Sequence, residues 1–462
     1  MATAAVIKKD ADLLHGPLVG KIFAFVLPLI LTNVLQNLYN AADMVVVGLS
    51  DVEGAIGSIG TTSALISLII NIFMGFAVGT SVMVARAIGE GSQKKTTEAV
   101  HTALLVALYS GLLCLVIGLI ICRPILAYMG DEGHILDLAS LYTKIYFLGV
   151  PFIAITNFLI AIFRAKGDTK TPLIVLTITG LINVVLNLFF VLVCHMSVDG
   201  VALATSISNF ASMIILTIIL SKDQGLCHFE FKSLKIEKYA LKGIIYNGLP
   251  AGIQGGLFSF SNMLIQSSII GINNTVCPSG SAIIDGNAAG ASIESFCYVS
   301  INSVTQASVT FASQHYGAKK FKRMKKVMSS CYLVTFIVSE AISLLILALR
   351  TPLIKFYLSD PMAIQAANIR LVGMLTVYFT IGFMEVGSGI LRGMNRSITS
   401  TTVTLLGSCV LRVVWLATYV KSHTTLQAIY LSYPISWSVT AITHFIFCVV
   451  TLRHLLATYP ED

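Results

Sequence analysis

Long apolar runs alternate with short polar segments along the whole chain. Each run holds about 20 or more residues with few charges, which is the length a helix needs to cross the hydrocarbon core of a bilayer. Helices are expected because an open strand edge would leave backbone groups unpaired in lipid. The pattern predicts six spans in the first half, at 22–48, 60–84, 97–121, 138–163, 172–194 and 200–221. It predicts six more in the second half, at 245–271, 285–312, 327–349, 366–391, 399–420 and 428–452. The second and eighth spans are rich in Gly and Ser and give the weakest hydropathy signal.

Composition agrees with a lipid surrounding. Of the 462 residues, 56% are hydrophobic and 11% are charged, whereas a soluble domain carries about 25% charged residues. Such a chain cannot cover a water-facing surface, which excludes a soluble enzyme, a nucleic-acid-binding protein and a disordered scaffold. We therefore predict an all-α polytopic membrane protein with twelve transmembrane helices. The polar N-terminus has no apolar segment before a cleavage site, so the first span is expected to stay in the mature protein.

The positive charges test the number of spans and their orientation. With the N-terminus placed in the cytoplasm, 23 of the 30 Lys and Arg residues fall in cytoplasmic segments and four fall outside. This bias predicts a multi-pass protein of the plasma membrane with both termini in the cytoplasm. The basic run KKFKRMKK at 319–326 is interpreted as a cytoplasmic loop facing anionic headgroups, not as a nucleic-acid site.

The two halves of the chain resemble each other. Segments after the second and eighth spans, and after the fourth and tenth, align at one common offset, which pairs Gly89 with Gly317 and Arg164 with Arg392. A parallel repeat of six spans predicts two lobes related by a pseudo-two-fold axis along the membrane normal, which is transporter architecture. The predicted segments are a cytoplasmic N-terminus (1–21), an N-lobe (22–221), a cytoplasmic linker (222–244), a C-lobe (245–452) and a cytoplasmic tail (453–462).

Several motifs together resemble one transporter family. The first span reads LPLILTNVLQNLYNAADMVVVG, the fourth ends in FRAKGDTKTP, the eighth runs into ASVTFASQHYGAKK, and the tenth into MEVGSGILRGMNRS. The chain is similar over nearly its whole length to the multidrug and toxic compound extrusion (MATE) family. The resemblance implies alternating access between two six-helix lobes and cation-coupled export of organic cations or amphipathic drugs and metabolites. It also favours a bacterial inner membrane.

The expected partners are the lipid bilayer and a small organic molecule, with no cofactor, no nucleic acid and a monomeric state. The alternative function is a flippase for lipid-linked glycans of the same wider superfamily, which would favour a cavity rich in Arg and Lys. Neither HExxH nor GxSxG nor a GxxxxGK[ST] loop occurs, so an intramembrane enzyme and nucleotide-driven transport are not predicted.

A polar stripe on the first span marks a candidate cavity. Gln36, Tyr39, Asn40 and Asp43 recur at i, i+3, i+4 and i+7, which places them on one helical face. Because a carboxylate at membrane depth is costly, Asp43 is expected to have a function. We predict that Asp43 binds the coupling cation and that the other three residues line the substrate cavity.

Three residues on neighbouring spans are predicted to share the depth of Asp43. Asn183 and Asn187 lie one turn apart in the fifth span, and Thr205 lies near the outer end of the sixth. One carboxylate among neutral oxygens suits Na⁺, and it suits a proton because low-dielectric surroundings favour a neutral carboxyl group. By resemblance, one MATE branch uses Asp, Asn-x-x-x-Asp and Thr at these positions. Asn187 stands where the second Asp would be, so H⁺ and Na⁺ both stay open, and no metal is expected beyond a possible Na⁺ at Asp43.

The second lobe contains its own intramembrane charges. Glu294 and Arg412 both fall well inside their spans, and we predict that they form a buried ion pair. Glu385 lies in the inner half of the tenth span and is a candidate contact for a cationic substrate.

Overall fold

Helices follow the apolar runs, as expected where each segment must satisfy its own backbone groups. The computed structural model describes residues 12–48, 55–128, 133–278 and 280–459, in which every regular element is helical. The first half contains α1 (Leu18–Gly48), α2 (Ala55–Gly89), α3 (Gln93–Tyr128), α4 (Gly133–Ala165), α5 (Lys170–Leu188) and α6 (Val198–Ser221). The second half contains α7 (Lys238–Val276), α8 (Ala282–Gly317), α9 (Phe321–Ala348), α10 (Arg350–Tyr357), α11 (Pro361–Leu375), α12 (Phe379–Gly393), α13 (Ser397–Thr404), α14 (Leu411–Trp415) and α15 (Leu426–Thr458).

Each of the twelve predicted spans coincides with one helix or one group of consecutive helices. Among the described residues, nine helical segments are long and apolar enough to cross a membrane, and the pair α11 and α12, bent by 52°, makes a tenth. The helices α2 and α8 complete the twelve, and they coincide with the predicted second and eighth spans, which are rich in Gly and Ser. The all-α polytopic fold predicted from the sequence is confirmed.

Helix boundaries repeat along the chain at the offset seen in the sequence. Four boundaries of the first half recur at that offset in the second, each within its own unit: Gly89 and Gly317, Gln93 and Phe321, Ala165 and Gly393, Val198 and Leu426. A π-helical turn at Phe189–Val193 has a counterpart at Leu416–Val420, one residue short of the same offset.

Backbone conformation repeats in the same way. Gly91 and Lys319, which the offset pairs, have φ of 66° and 55°, and the pair Gly167 and Asn395 has φ of 89° and 62°. A left-handed residue closes a helix at each of these turns, and Gly and Asn adopt that conformation most readily. The turn geometry is therefore kept even where the residue type differs, as at Gly91 and Lys319. The two halves thus repeat in structure as well as in sequence.

The chain divides into two compact units whose borders lie inside helices. The first unit includes Leu27–Gly255, and the second includes His15–Val26 and the described chain from Gly256 onward. The first residues of α1 therefore belong to the second unit, and the part of α7 up to Gly255 belongs to the first unit. Helix α7 begins at Lys238, within the segment 222–244 that the sequence predicts as a cytoplasmic linker.

Within the first unit, α2 and the start of α7 approach closely through glycines. A Cβ atom at Gly75 would overlap the backbone of Gly252, and one at Gly79 would lie 2.8 Å from the Gly248 nitrogen. Small residues spaced four apart let membrane helices pack backbone against backbone. This contact explains why the start of α7 belongs to the first unit.

Candidate functional site

A polar cavity of about 330 Å³ lies within the first unit, between α1, α4, α5 and α6. The polar stripe of α1 forms one wall, and Gln36, Tyr39, Asn40 and Asp43 all line it. The structure thus places the four residues of the stripe at one cavity.

The carboxylate of Asp43 lies at the end of a chain of polar side chains. The Asn187 amide nitrogen donates to the Asp43 Oδ1 atom and, over 3.3 Å, to the Asn183 Oδ1 atom. The Asn183 amide nitrogen in turn donates to the Thr205 hydroxyl over 3.4 Å. The Thr205 hydroxyl is also within hydrogen-bonding reach of Asp43. The four residues predicted to form the cation site therefore lie in one connected network.

One acceptor of this network has no partner. The Asn187 side chain is fully buried, and its Oδ1 atom makes no hydrogen bond in the structure. A buried amide oxygen without a donor is costly, by about 1–3 kcal/mol. That oxygen belongs to the amide group whose nitrogen contacts Asp43, so rotation of the amide would offer an acceptor to a donor or a cation bound beside the carboxylate.

The charge on the described lining of the cavity has one sign only, and it is negative. Among the described residues that line it, Asp43 is the single acidic side chain, and none is Lys or Arg. The remaining polar groups are amides, hydroxyls and phenols. No group of three or more His, Cys, Asp and Glu residues that could hold a metal ion occurs in the described part of the chain. The donor set suits a proton or a hard cation held by oxygen atoms.

Helix α6 adds residues to the cavity wall that were not predicted from the sequence. Ser208, Asn209 and Ser212 line it together with Thr205. The Ser212 hydroxyl donates to the Thr179 hydroxyl over 2.7 Å, which joins α6 to α5. The sequence does contain a signal for these residues. Thr205 and the three residues after it in the cavity wall follow the same i, i+3, i+4, i+7 spacing as the polar stripe on α1.

The Tyr39 ring packs against α5 at Gly180, a position that has no side chain. Its hydroxyl donates to the Thr177 carbonyl over 3.2 Å, and a Cβ atom at Gly180 would overlap the Tyr39 ring. Gly180 therefore provides the space that the ring occupies.

Because the sequence predicts a transporter whose substrate cavity includes Tyr39, substituting Gly180 with Ala is expected to displace Tyr39 from this position and to reduce transport. The ring must rotate away, since the overlap is with its carbon atoms, and the Thr177 hydrogen bond is lost with it. We expect a several-fold rise in the substrate concentration for half-maximal efflux. The matched control is Gly20→Ala, because Gly20 also lies within a helix, α1, but a Cβ atom there would have no neighbour within 4 Å. Equal efflux kinetics for Gly180→Ala and the unsubstituted chain would show that this position of Tyr39 is unimportant.

The second unit holds a buried ion pair, but its partners differ from those predicted. The Arg370 guanidinium contacts the Glu294 Oε2 atom through two nitrogens, at 2.7 and 3.1 Å. The predicted pairing of Glu294 with Arg412 is wrong. Instead, the Arg412 Nε atom donates to the Ser436 hydroxyl over 2.9 Å, and its guanidinium lies 4.4 Å from the Tyr433 ring centroid.

Further polar groups complete the surroundings of the ion pair. Asn287 accepts from Arg370 over 2.6 Å and from the Tyr430 hydroxyl over 3.0 Å, and the Tyr378 hydroxyl donates to the second Glu294 oxygen over 3.3 Å. Each charged group therefore has a hydrogen-bond partner besides the other, as a buried pair requires.

Glu385 also belongs to the second unit. It is 9% exposed, and its electrostatic neighbours are Arg392 on its own helix and Tyr298 on α8. The described residues that line the polar cavity of the first unit do not include it. Of the four residues predicted to line the substrate cavity, Gln36, Tyr39 and Asn40 therefore line this cavity, and Glu385 does not.

Comparisons with known proteins agree with this architecture. A sequence model of the MatE family matches residues 28–189 and 258–418. The probable multidrug resistance protein YoeA of Bacillus subtilis (strain 168) is 25% identical over 430 residues, covering 90% of each chain. The probable multidrug resistance protein NorM of Thermotoga maritima is 24% identical over 388 residues, covering 82% of this chain and 81% of that protein. A solved structure described as the outward-facing conformation of a multidrug resistance MATE family transporter is 20% identical, with a TM-score of 0.88 over 97% of this chain and 99% of that one.

Proposed function

Because this chain belongs to the multidrug and toxic compound extrusion (MATE) family, we propose that it exports organic cations or amphipathic compounds in exchange for a proton bound at Asp43. Family membership makes the chain a multi-pass membrane transporter of small molecules, and not an enzyme. The coupling ion, the substrate charge and the orientation are the proposal.

The observation that carries the proposal is a single carboxylate in a polar cavity within a lipid-spanning unit. An intramembrane carboxylate is costly, and such groups mark substrate and ion sites. A transporter couples two fluxes when both ligands depend on one group, since occupation by one weakens binding of the other. Asp43 can serve in this way because an ionised carboxylate attracts an organic cation and a protonated one does not.

The hydrogen bonds of Asn187 support a proton as the coupling ion. With Asp43 ionised, the amide nitrogen of Asn187 donates to the carboxylate, as observed. After protonation, the carboxyl group becomes a donor, and a half-turn of the Asn187 amide would present its unpartnered oxygen to that proton. The same buried amide can thus stabilise both states. A second carboxylate, which would favour Na⁺, is replaced here by the neutral Asn187.

The cavity also supports a cationic or amphipathic substrate. It carries one negative charge and no positive one among its described lining residues, while Tyr39, Tyr142 and Tyr146 add aromatic surface. Aromatic rings and carboxylates both attract organic cations. A flippase for lipid-linked pyrophosphates would need the opposite charge. The proposed orientation, with both termini in the cytoplasm of a bacterial cell, rests on the distribution of Lys and Arg.

The test is dye efflux from proteoliposomes that contain the full chain. A fluorescent organic cation is loaded, and its release is followed after imposing either a pH gradient or a Na⁺ gradient of equal size. We expect the pH gradient alone to accelerate efflux. Acceleration by the Na⁺ gradient alone would overturn the proton assignment while keeping antiport. Efflux that neither gradient changes, together with gradient-independent movement of a lipid-linked glycan, would overturn the antiporter.

A further inference from the structure

A second cavity, of about 830 Å³, opens between α9, α12 and α15 of the second unit. Its walls are almost entirely apolar and include Met328, Phe383, Ala441 and Phe445. We call this cavity the α9–α15 groove. Phe445 is 48% exposed, as expected for a helix surface that faces lipid tails.

One end of the groove is positively charged. Lys325 and Lys326 line it, and they are the fifth and sixth residues of α9. Because the predicted span within α9 begins at 327, directly after these two lysines, we expect them at the level of the lipid headgroups. Neither forms an ion pair with an acidic side chain in the described part of the chain.

The other end of the groove reaches towards the hydrocarbon region. Tyr332 lines it seven residues further along α9, which is about 10 Å deeper at 1.5 Å per residue. The Tyr332 ring packs edge-on against Phe383 and Phe445, with centroids 5.3 and 5.9 Å apart. The groove therefore runs from the two lysines at one end to the rings of Tyr332, Phe383 and Phe445 at the other, which we call the aromatic floor. An acyl chain would extend in the same direction from its headgroup.

We propose that the α9–α15 groove binds one anionic phospholipid, with its phosphate at Lys325 and Lys326 and an acyl chain along the aromatic floor. Each lysine near a membrane surface contributes about 1 kcal/mol to the attraction of anionic lipid. The two positive charges repel the organic cations proposed as substrates, so this groove is distinct in chemistry from the cavity at Asp43. Lipid binding here requires only that α9 and α15 span a membrane, and it is independent of the proposed transport activity.

Native mass spectrometry of the full chain tests the proposal. The detergent-solubilised protein is mixed with palmitoyl-oleoyl phosphatidylglycerol or with the phosphatidylcholine of the same chains. We expect one phosphatidylglycerol to be retained and phosphatidylcholine to bind at least several-fold more weakly. The double variant Lys325→Gln/Lys326→Gln is expected to lose about 30-fold in phosphatidylglycerol affinity, the change that corresponds to two such contributions. The variant Ser329→Trp, at an exposed groove position, is expected to reduce retention of both lipids by filling the space.

A matched double variant separates the groove from general basicity. Lys319→Gln/Lys322→Gln removes the same charge from the same segment, but neither residue lines the groove, and retention should stay within twofold. Equal retention of both lipids by the unsubstituted chain would overturn the anionic headgroup. Equal losses for the two double variants, or unchanged retention in Ser329→Trp, would overturn the groove as the site.

Discussion

Proton-driven efflux is expected to fall to the rate of passive leak when Asp43 is replaced by Asn. The amide has the shape of the carboxylate but can neither gain a proton nor attract an organic cation by charge. The hydrogen-bond chain through Asn187 and Asn183 can persist, since an amide oxygen still accepts from the Asn187 nitrogen. The measurement is the initial rate of dye efflux from proteoliposomes under an imposed pH gradient, with protein content and orientation matched.

The control for Asp43→Asn is the same chemical change at Asp137. That carboxylate forms an exposed ion pair with Arg123 over 2.9 Å, and exposed pairs contribute about 0–1 kcal/mol. Asp137→Asn should therefore keep the efflux of the unsubstituted chain. Unchanged pH-driven efflux in Asp43→Asn would move coupling to another carboxylate, and Glu294 and Glu385 of the second unit would be the next candidates.

The repeat does not extend to the chemistry of the site. At the offset that pairs Gly89 with Gly317, the counterparts of Asn183, Asn187 and Thr205 are Leu411, Trp415 and Tyr433. The π-helical turn and the helix start beside them are kept, yet the amide and hydroxyl groups are replaced by apolar and aromatic ones. The hydrogen-bond network of Asp43 therefore has no counterpart at this offset in the second unit. Because the second unit offers no equivalent site at these positions, a single substitution at Asp43 is expected to remove coupling altogether.

Sequence periodicity located the residues of the first unit well because they lie on faces of single helices. The stripe on α1 and the pair on α5 each repeat with helical spacing, so each face could be identified without knowing its neighbours. That the faces of α1, α5 and α6 meet was inferred from depth and family resemblance. Depth and the resemblance together sufficed there, since each of the three helices has one polar face that lipid disfavours.

The depth of the residues within their spans did not identify the ion-pair partner of Glu294. In the predicted spans, Arg412 lies well inside 399–420 whereas Arg370 lies near the start of 366–391, so depth favoured Arg412. The distance along a helix does not show which neighbour its face contacts. A usable signal was the face Gly286, Gly290 and Glu294, at a spacing of one helical turn. A Cβ atom at Gly290 would lie 2.9 Å from the Arg370 Cδ atom, so the glycines let α11 approach and bring Arg370 to the carboxylate.

Glu294→Gln is expected to destabilise the protein more than Arg370→Gln does. Breaking a buried ion pair costs about 3–5 kcal/mol because one charge is left without its partner. Arg412 is also within electrostatic range of Glu294. Removing the carboxylate therefore leaves two buried guanidinium groups, Arg370 and Arg412, and no negative charge between them. Removing Arg370 instead leaves one carboxylate and one guanidinium, whose charges still cancel.

Thermal unfolding of the purified variants, followed with a thiol-reactive dye, measures this order, since Cys297 and Cys331 are buried free thiols that unfolding exposes. The double variant Glu294→Gln/Arg370→Gln should be more stable than Glu294→Gln alone, because it removes the charge that the single change leaves unpaired. Arg123→Gln, in the exposed pair with Asp137, controls for the loss of a guanidinium and should shift the unfolding temperature little. If Arg370→Gln unfolds first, the electrostatic influence of Arg412 on this cluster is negligible, and the carboxylate is held by Arg370 and Tyr378 alone.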